Sequence, residues 1–117
     1  MKKDSIGFIG LGNMAGAIIT GLRQSEAFRN AVILGTDHNA YKQEEVQASC
    51  GVVVLPDAKA VARESEVLVL AVKPQGLDAL LAEIGEIFFE GQLVISLAAG
   101  RPLSYYDQRL GRPIPLV

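Results

Sequence analysis

The sequence is poor in cysteine, and this excludes two kinds of site. Cys50 is the only cysteine among the 117 residues, so the chain can form neither an internal disulfide nor a cysteine-based metal centre. A single cysteine is typical of a protein in a reducing compartment, and we expect a cytoplasmic location. We expect Cys50 itself to be a small, buried packing residue.

The chain also lacks an excess of positive charge and long apolar runs. With 11 basic and 13 acidic side chains the formal net charge is −2, so the chain has no basic surface for a nucleic-acid backbone. No apolar run approaches the roughly 18 residues that span a bilayer. Asp4 and several glycines interrupt the N-terminal segment, which therefore does not read as a signal peptide. We expect one globular domain that binds neither nucleic acid nor membrane.

Short apolar runs alternate with longer amphipathic ones along the whole chain. The predicted strands are Ser5–Ile9, Val32–Thr36, Val52–Leu55, Val67–Val72 and Leu93–Leu97. The predicted helices are Asn13–Gln24, Tyr41–Ser49, Ala58–Glu64, Leu77–Phe88 and Leu103–Leu110. Such alternation predicts a doubly wound α/β fold, with a parallel sheet covered by helices on both faces.

The end of the sequence predicts an incomplete domain. The segment "RLGRPIPLV" reads as a helix end, a turn and the start of a further strand. We therefore expect residues 1–117 to be a truncated domain.

A glycine-rich segment, "IGFIGLGNMAGAIITGL" at residues 6–22, lies between the first predicted strand and the first helix. Gly10, Gly12 and Ala15 match the pattern G-x-G-x-x-G/A of Rossmann-type dinucleotide-binding domains. Gly10 allows the tight turn, Gly12 leaves room for a pyrophosphate, and Ala15 keeps the helix close to the strand. Met14 could contact the ligand, although a core position is the usual one for a methionine in a helix.

The turn after the second strand, "GTDHN", follows the glycine loop by about 20 residues, the spacing expected for the group that binds the adenine ribose. A carboxylate at Asp37 favours NAD, because it accepts hydrogen bonds from ribose hydroxyls and repels a 2′-phosphate. Thr36, His38 and Asn39 could instead donate to that phosphate, with Lys42 one helical turn further on. The sequence leaves open the choice between NAD and NADP.

Two later turns reach the same edge of the predicted sheet. The stretch "LVLAVKPQGL" places Lys73 and Pro74 at the end of the fourth strand, which lies beside the first strand in such a fold. "SLAAG" at residues 96–100 ends the fifth strand with small residues and leaves room for a nicotinamide ring. Together with the glycine loop, these turns predict one cofactor site.

Three segments in this order, "FIGLGNMAGAIITGL", "LAVKPQ" and "VISLAAG", resemble the N-terminal domain of pyrroline-5-carboxylate reductase. The resemblance covers essentially the whole chain. It implies reduction of 1-pyrroline-5-carboxylate to L-proline, in proline biosynthesis, with NADPH as the hydride donor and NAD as a possible alternative cofactor.

Carried over by position, the resemblance implies contacts from four turns to the pyrophosphate, the adenosine ribose, the nicotinamide ribose and the nicotinamide. The residues in that order are Ile9, Gly10, Leu11, Gly12, Asn13 and Met14, then Thr36, Asp37 and Asn39, then Val72, Lys73 and Pro74, then Ala98 and Ala99. Two positions depart from many relatives: Ala58 stands where asparagine is common, and Asp37 where serine or asparagine is common.

The family also has a second, helical domain that forms a dimer and much of the pocket for the small-molecule substrate. The resemblance therefore implies a homo-oligomer for the full-length protein, and it assigns no catalytic residue and no metal ligand to this chain. Without the second domain, we expect the chain to be inactive as a reductase. Two alternatives stay open: a β-hydroxyacid dehydrogenase-type domain, and a stand-alone dinucleotide-sensing or partner-binding module.

Overall fold

The computed structural model describes residues 5–97 apart from residues 86 and 88–90. Within this range, strands and helices alternate as the sequence predicts. They are β1 (Ser5–Ile9), α1 (Asn13–Gln24), β2 (Val32–Thr36), α2 (Ala40–Cys50), β3 (Val53–Val54), α3 (Ala58–Glu64), β4 (Val67–Leu70), α4 (Pro74–Ile84) and β5 (Leu93–Ser96). No helix among these is long and apolar enough to cross a membrane.

The strands form one parallel sheet in the order β3-β2-β1-β4-β5. β1 is the central strand: Phe8 is opposite Gly35 of β2 on one side and Val69 of β4 on the other. The chain first proceeds outward from β1 to β3 and then returns to β4 on the other side of β1. The carboxyl ends of β1 and β4 therefore flank the switch point of a doubly wound sheet, where such folds bind their ligands.

Two apolar layers cover the faces of this sheet. Phe8 and Val69 pack with Ile19 of α1 and Val46 of α2 on one face. Leu68 and Leu70 of β4 pack on the other face with residues of α3 and α4, among them Val61, Leu77 and Leu81. Neighbouring residues of β4 thus point into opposite layers, which explains why its sequence is a continuous apolar run.

The bounds of β1, α1, β2 and α3 are those predicted from the sequence, whereas the later elements differ. β3, β4 and β5 are shorter than predicted, and α2 extends one residue further at each end. The largest differences are in α4, which begins at Pro74 and not at Leu77, and ends at Ile84 and not at Phe88. Proline is favoured in the first turn of a helix, because that position needs no N–H donor. The predicted helix Leu103–Leu110 lies outside the described residues.

Cys50 is partly exposed, so the prediction that it is buried was wrong. It is the last residue of α2 and lies beside α1, with its Sγ 3.8 Å from the hydroxyl of Thr20. The helix ends immediately afterwards at Gly51, whose φ is +67°. Because Cys50 is the last residue of α2, its side chain packs at the edge of the apolar layer and is only partly covered.

Candidate cofactor site

The glycine loop is fixed between the ends of β2 and β4. The Gly10 N–H donates to the Thr36 carbonyl at 2.9 Å, and the Ala71 N–H donates to the Ile9 carbonyl at 2.8 Å. These bonds continue the sheet pairing beyond the last residues of the strands. The loop therefore opens into the crevice at the switch point.

Gly10 is required by the fold itself. Its φ is +101°, a region that side chains rarely adopt, and a Cβ there would lie 2.7 Å from the Ala71 carbonyl oxygen. The same Cβ would be 3.2 Å from the backbone nitrogen of Val72. Gly10 therefore allows the loops after β1 and β4 to touch, which confirms the tight turn predicted for this position.

Gly12 is different, because the fold has room for a side chain there. Its φ of −74° and ψ of −167° are ordinary extended values. Among the described atoms beyond its chain neighbours, a Cβ on Gly12 would come within 4 Å of one, the Lys42 Nζ at 3.7 Å. The open space over Gly12 is what the approach of a pyrophosphate to the backbone requires, so these residues fit a dinucleotide.

The two helices that begin at the switch point start without side-chain caps. Asn39 caps α2, and Asp57 caps α3, by accepting hydrogen bonds from backbone N–H groups of the first turn. By contrast, α1 begins after Gly12 and α4 after Lys73, and no described side chain caps either of them. The free N–H groups of a helix start attract anions, and α1 presents them directly beside the open space over Gly12.

The Asp37 carboxylate joins the glycine loop to the turn after β2. Its Oδ2 accepts a hydrogen bond from the Leu11 N–H at 2.7 Å, and its Oδ1 accepts one from the Asn39 N–H at 2.8 Å. Asp37 thus lies next to the loop, where the sequence places the adenine ribose. Each oxygen already accepts one backbone hydrogen bond. Sequence reasoning missed the bond from Leu11, because Leu11 lies 26 positions away from Asp37.

The other residues of this turn differ in burial. Thr36 is buried, while His38 and Asn39 are exposed. The Asn39 Oδ1 accepts hydrogen bonds from the N–H groups of Tyr41 and Lys42 as the cap of α2. Its amide nitrogen, with no hydrogen-bond partner among the described residues, could still donate to a ligand.

A cavity of about 250 Å³ opens between α1 and α2 beside the glycine loop. Gly12 and Asn13 line it on one side, and Lys42 and Ser49 on the other. The sequence signalled Lys42 only as a basic residue one turn into α2. Its proximity to Gly12 depends on how the two helices pack.

The remaining predicted site residues divide by exposure. Met14 is 62% exposed, which rules out a core position and leaves it available to a ligand. The Ile9 and Leu11 side chains are buried in opposite layers, so only their backbones can face the crevice. Val72 is partly buried, and Lys73 is exposed as the N-cap residue of α4. Ala98 and Ala99 lie outside the described residues.

No group of three or more His, Cys, Asp or Glu side chains among the described residues could hold a metal ion. The space beside the glycine loop is lined by Gly12 and Asn13 and by the cationic Lys42, which suits an anionic organic cofactor.

Comparison with protein families gives a match over residues 5–100 to the family described as NADP oxidoreductase, coenzyme F420-dependent. The chain belongs to this family. The family description names NADP, so the cofactor predicted from the resemblance is confirmed at the level of the family. The observed sheet and helices confirm the predicted Rossmann-type fold.

Curated relatives and solved structures agree with the resemblance seen in the sequence. The chain is 37% identical to the pyrroline-5-carboxylate reductase of Methanosarcina acetivorans over an alignment of 110 positions. It is 36% identical to that of Pseudomonas aeruginosa over an alignment of 118 positions. These matches cover 94% and 100% of this chain, but 41% and 42% of the relatives. A pyrroline-5-carboxylate reductase structure from Coxiella burnetii superposes with a TM-score of 0.88 at 34% identity, covering 98% of this chain and 43% of that one. The resemblance is therefore confirmed, and the chain spans about two fifths of the length of these relatives.

Proposed function

We propose that the chain is the cofactor-binding domain of a pyrroline-5-carboxylate reductase and that it binds NADPH at the switch point. The observation that carries this proposal is the open space over Gly12 beside the uncapped start of α1. A glycine that the fold does not need, next to free N–H groups, is explained by an anion that approaches the backbone. The relatives at 36–37% identity support the choice of reaction.

When bound, NADPH would supply the hydride for the imine carbon of the pyrroline ring, whose nitrogen would take up a proton. The residues of this chain bind and orient the cofactor. We assign the backbone from Ile9 to Met14 to the pyrophosphate and the turn at Thr36, Asp37 and Asn39 to the adenosine ribose. The Val72 backbone nitrogen lies beside Gly10, and we assign the segment from Val72 to Pro74 to the nicotinamide ribose.

In this proposal, the substrate pocket is formed by the part of the relatives that the 117 residues do not match. The same part would supply the proton donor and the contacts of a homo-oligomer. The small-molecule substrate would then be held between that part and the crevice described above. We also propose that the protein acts in the cytoplasm.

The test is calorimetric titration of NADPH into the wild-type chain and into Gly12→Val. A valine would fill the space assigned to the pyrophosphate, so we expect the variant to lose detectable binding while circular dichroism shows a folded protein. Gly21→Val is the matched control. It lies in α1, the helix that begins after Gly12. Apart from its chain neighbours and the backbone of its own helix, a Cβ there meets no described heavy atom within 4 Å, and binding should be unchanged.

Equal NADPH affinity in wild type and Gly12→Val would remove the glycine loop from the site. Failure of the wild-type chain to bind either nicotinamide cofactor would overturn the proposed function itself. That second outcome would favour a partner-binding module.

A further inference from the structure

A groove of about 340 Å³ lies beside the outer strand β3, on the face of the sheet that α3 covers. Its lining residues are Leu34, Val53 and Leu55 from the sheet side and Ala60, Arg63 and Glu64 from α3. Val53 lies opposite Leu34 in the register of β2 and β3, so the two side chains point to the same face. Leu34 is 7% exposed, but Val53 is 49% exposed. The apolar face of the sheet is therefore left uncovered at β3.

The groove extends towards the amino-terminal ends of the strands, away from the cofactor crevice. The helix α3 ends at Glu64, whose carbonyl accepts a hydrogen bond at 3.0 Å from the hydroxyl of Ser5, the first residue of β1. The crevice lies at the carboxyl ends of the same strands. A partner bound in the groove would leave the crevice free, so an inference about the groove does not depend on the proposed function.

Two side chains of opposite charge flank the apolar floor of the groove. Arg63 and Glu64 are consecutive in α3, and both are exposed. Neither side chain forms an ion pair within the described part of the chain. The rim of the groove therefore offers one positive and one negative charge to a partner.

The short strand β3 and the charges on the rim favour a second copy of the chain as that partner. β3 has two residues, and Pro56 follows soon after it, features typical of a sheet edge that resists the addition of a further strand. The partner is therefore held by side chains. A two-fold axis brings the same patch of two subunits together, and an apolar floor with both charges on its rim is complementary to itself. A partner with charges of one sign would leave Arg63 or Glu64 unpaired.

We propose that this groove is an interface between two copies of the chain, related by a two-fold axis. Val53 of each copy packs into the groove of the other, and Arg63 lies opposite Glu64 of the partner subunit. The contact is formed by the 117 residues alone and is additional to the oligomer contacts that the proposed function assigns elsewhere. Because the groove is small, the contact belongs with weak, transient interfaces, and the dimer should form only as the protein concentration is raised.

The experiment measures the mass of the wild-type chain and its variants by sedimentation, at concentrations from about 1 μM to about 1 mM, the range in which weak complexes form. Arg63→Glu gives the groove two acidic rim residues, and Glu64→Arg gives it two basic ones. Each variant alone should stay monomeric where the wild-type chain is a dimer, because like charges meet across the two-fold axis. An equimolar mixture of the two variants should form the dimer again, because an acidic rim then faces a basic one.

Two further variants separate the groove from a general effect of charge. Lys59→Glu makes the same charge reversal as Arg63→Glu at an exposed residue of α3 outside the groove, and it should dimerise as the wild-type chain does. Val53→Thr keeps the branched shape but replaces a methyl group with a hydroxyl, and it should raise the dissociation constant of the dimer by roughly threefold or more. Circular dichroism should show all variants folded.

A wild-type chain that stays monomeric over the whole range would overturn the proposal. Dimers of Arg63→Glu and Glu64→Arg as stable as those of the wild-type chain would place the interface elsewhere on the molecule. A mixture of these two variants that stays monomeric would exclude the pairing of Arg63 with Glu64 of the partner subunit. Growth beyond the dimer would exclude the two-fold axis, because an interface of this kind closes at two subunits.

Discussion

The Asp37 carboxylate accepts two backbone hydrogen bonds and, in our account, also faces the adenine ribose. An ionised carboxylate has about four acceptor positions, and the Leu11 and Asn39 N–H groups occupy two of them. Hydrogen bonds to a charged acceptor contribute about 1.5–3 kcal/mol to stability. The side chain thus orders the glycine loop before any cofactor arrives, and it discourages a 2′-phosphate by its charge.

Replacement of Asp37 by serine should raise the ratio of NADPH affinity to NADH affinity. The carboxylate is lost, and with it both the repulsion of the phosphate and an acceptor for the ribose hydroxyls that NADH presents. At 4 Å two unit charges interact by about 4 kcal/mol at an effective dielectric constant of 20, so a change of several-fold should survive screening. The melting temperature should fall, because the bond to Leu11 is weakened.

Asp57→Ser is the control for Asp37→Ser, since serine can replace Asp57 as the cap of α3 and the change in net charge is identical. Calorimetry gives the affinity ratio, and a thermal melt gives the stability. An unchanged ratio in Asp37→Ser would show that the carboxylate does not face the ribose.

At the scale of the elements, α3 packs very closely on β1 at Gly7. A Cβ on Gly7 would lie 1.8 Å from the Ser65 Oγ and 2.7 Å from a methyl carbon of Val61. Ser65 is fully buried, and its hydroxyl donates to the Val61 carbonyl at 2.6 Å. The glycine in the middle of β1 therefore sets how closely the helix layer approaches the central strand.

Gly7→Ala should destabilise the domain, because the new methyl group forces α3 away from β1. Overpacking of this kind costs about 1–3 kcal/mol, to be measured as the free energy of unfolding in urea. Gly21→Ala on the exposed side of α1 is the control and should stabilise the chain by up to roughly 1 kcal/mol. A Gly7→Ala variant as stable as wild type would contradict the close packing at Ser65.

Elements with strong local signals could be predicted from the sequence, whereas contacts between elements could not. The apolar run at β1 and the amphipathic pattern of α1 give their observed bounds. The start of α4 was missed because Pro74 fits both the end of a strand and the first turn of a helix. The Gly7–Ser65 contact and the approach of Lys42 to Gly12 join positions far apart in the sequence, and no local pattern carries them.

At the scale of the whole molecule, the topology brings the two uncapped helix starts to one edge of the sheet. Parallel strands direct their carboxyl ends to the same side, and the return from β3 to β4 opens a crevice beside β1. The two helices that start at this crevice lack side-chain caps from described residues, while α2 and α3 are capped. Among the described residues, both uncapped helix starts therefore lie at the switch point, where a ligand can satisfy them. The buried Gln92 Oε1, just before β5, also lacks a hydrogen-bond partner.

The central claim is that NADPH binds at this edge, and backbone amide chemical shifts in a titration of the isotope-labelled chain test it most directly. We predict the largest changes in the glycine loop at residues 10–15, in the turn and first residues of α2 at 37–42, and in the start of α4 at 71–76. The amides of the turn at residues 26–31, at the opposite edge, should not move. Shifts concentrated at residues 26–31, or no shifts at saturating NADPH, would contradict the account.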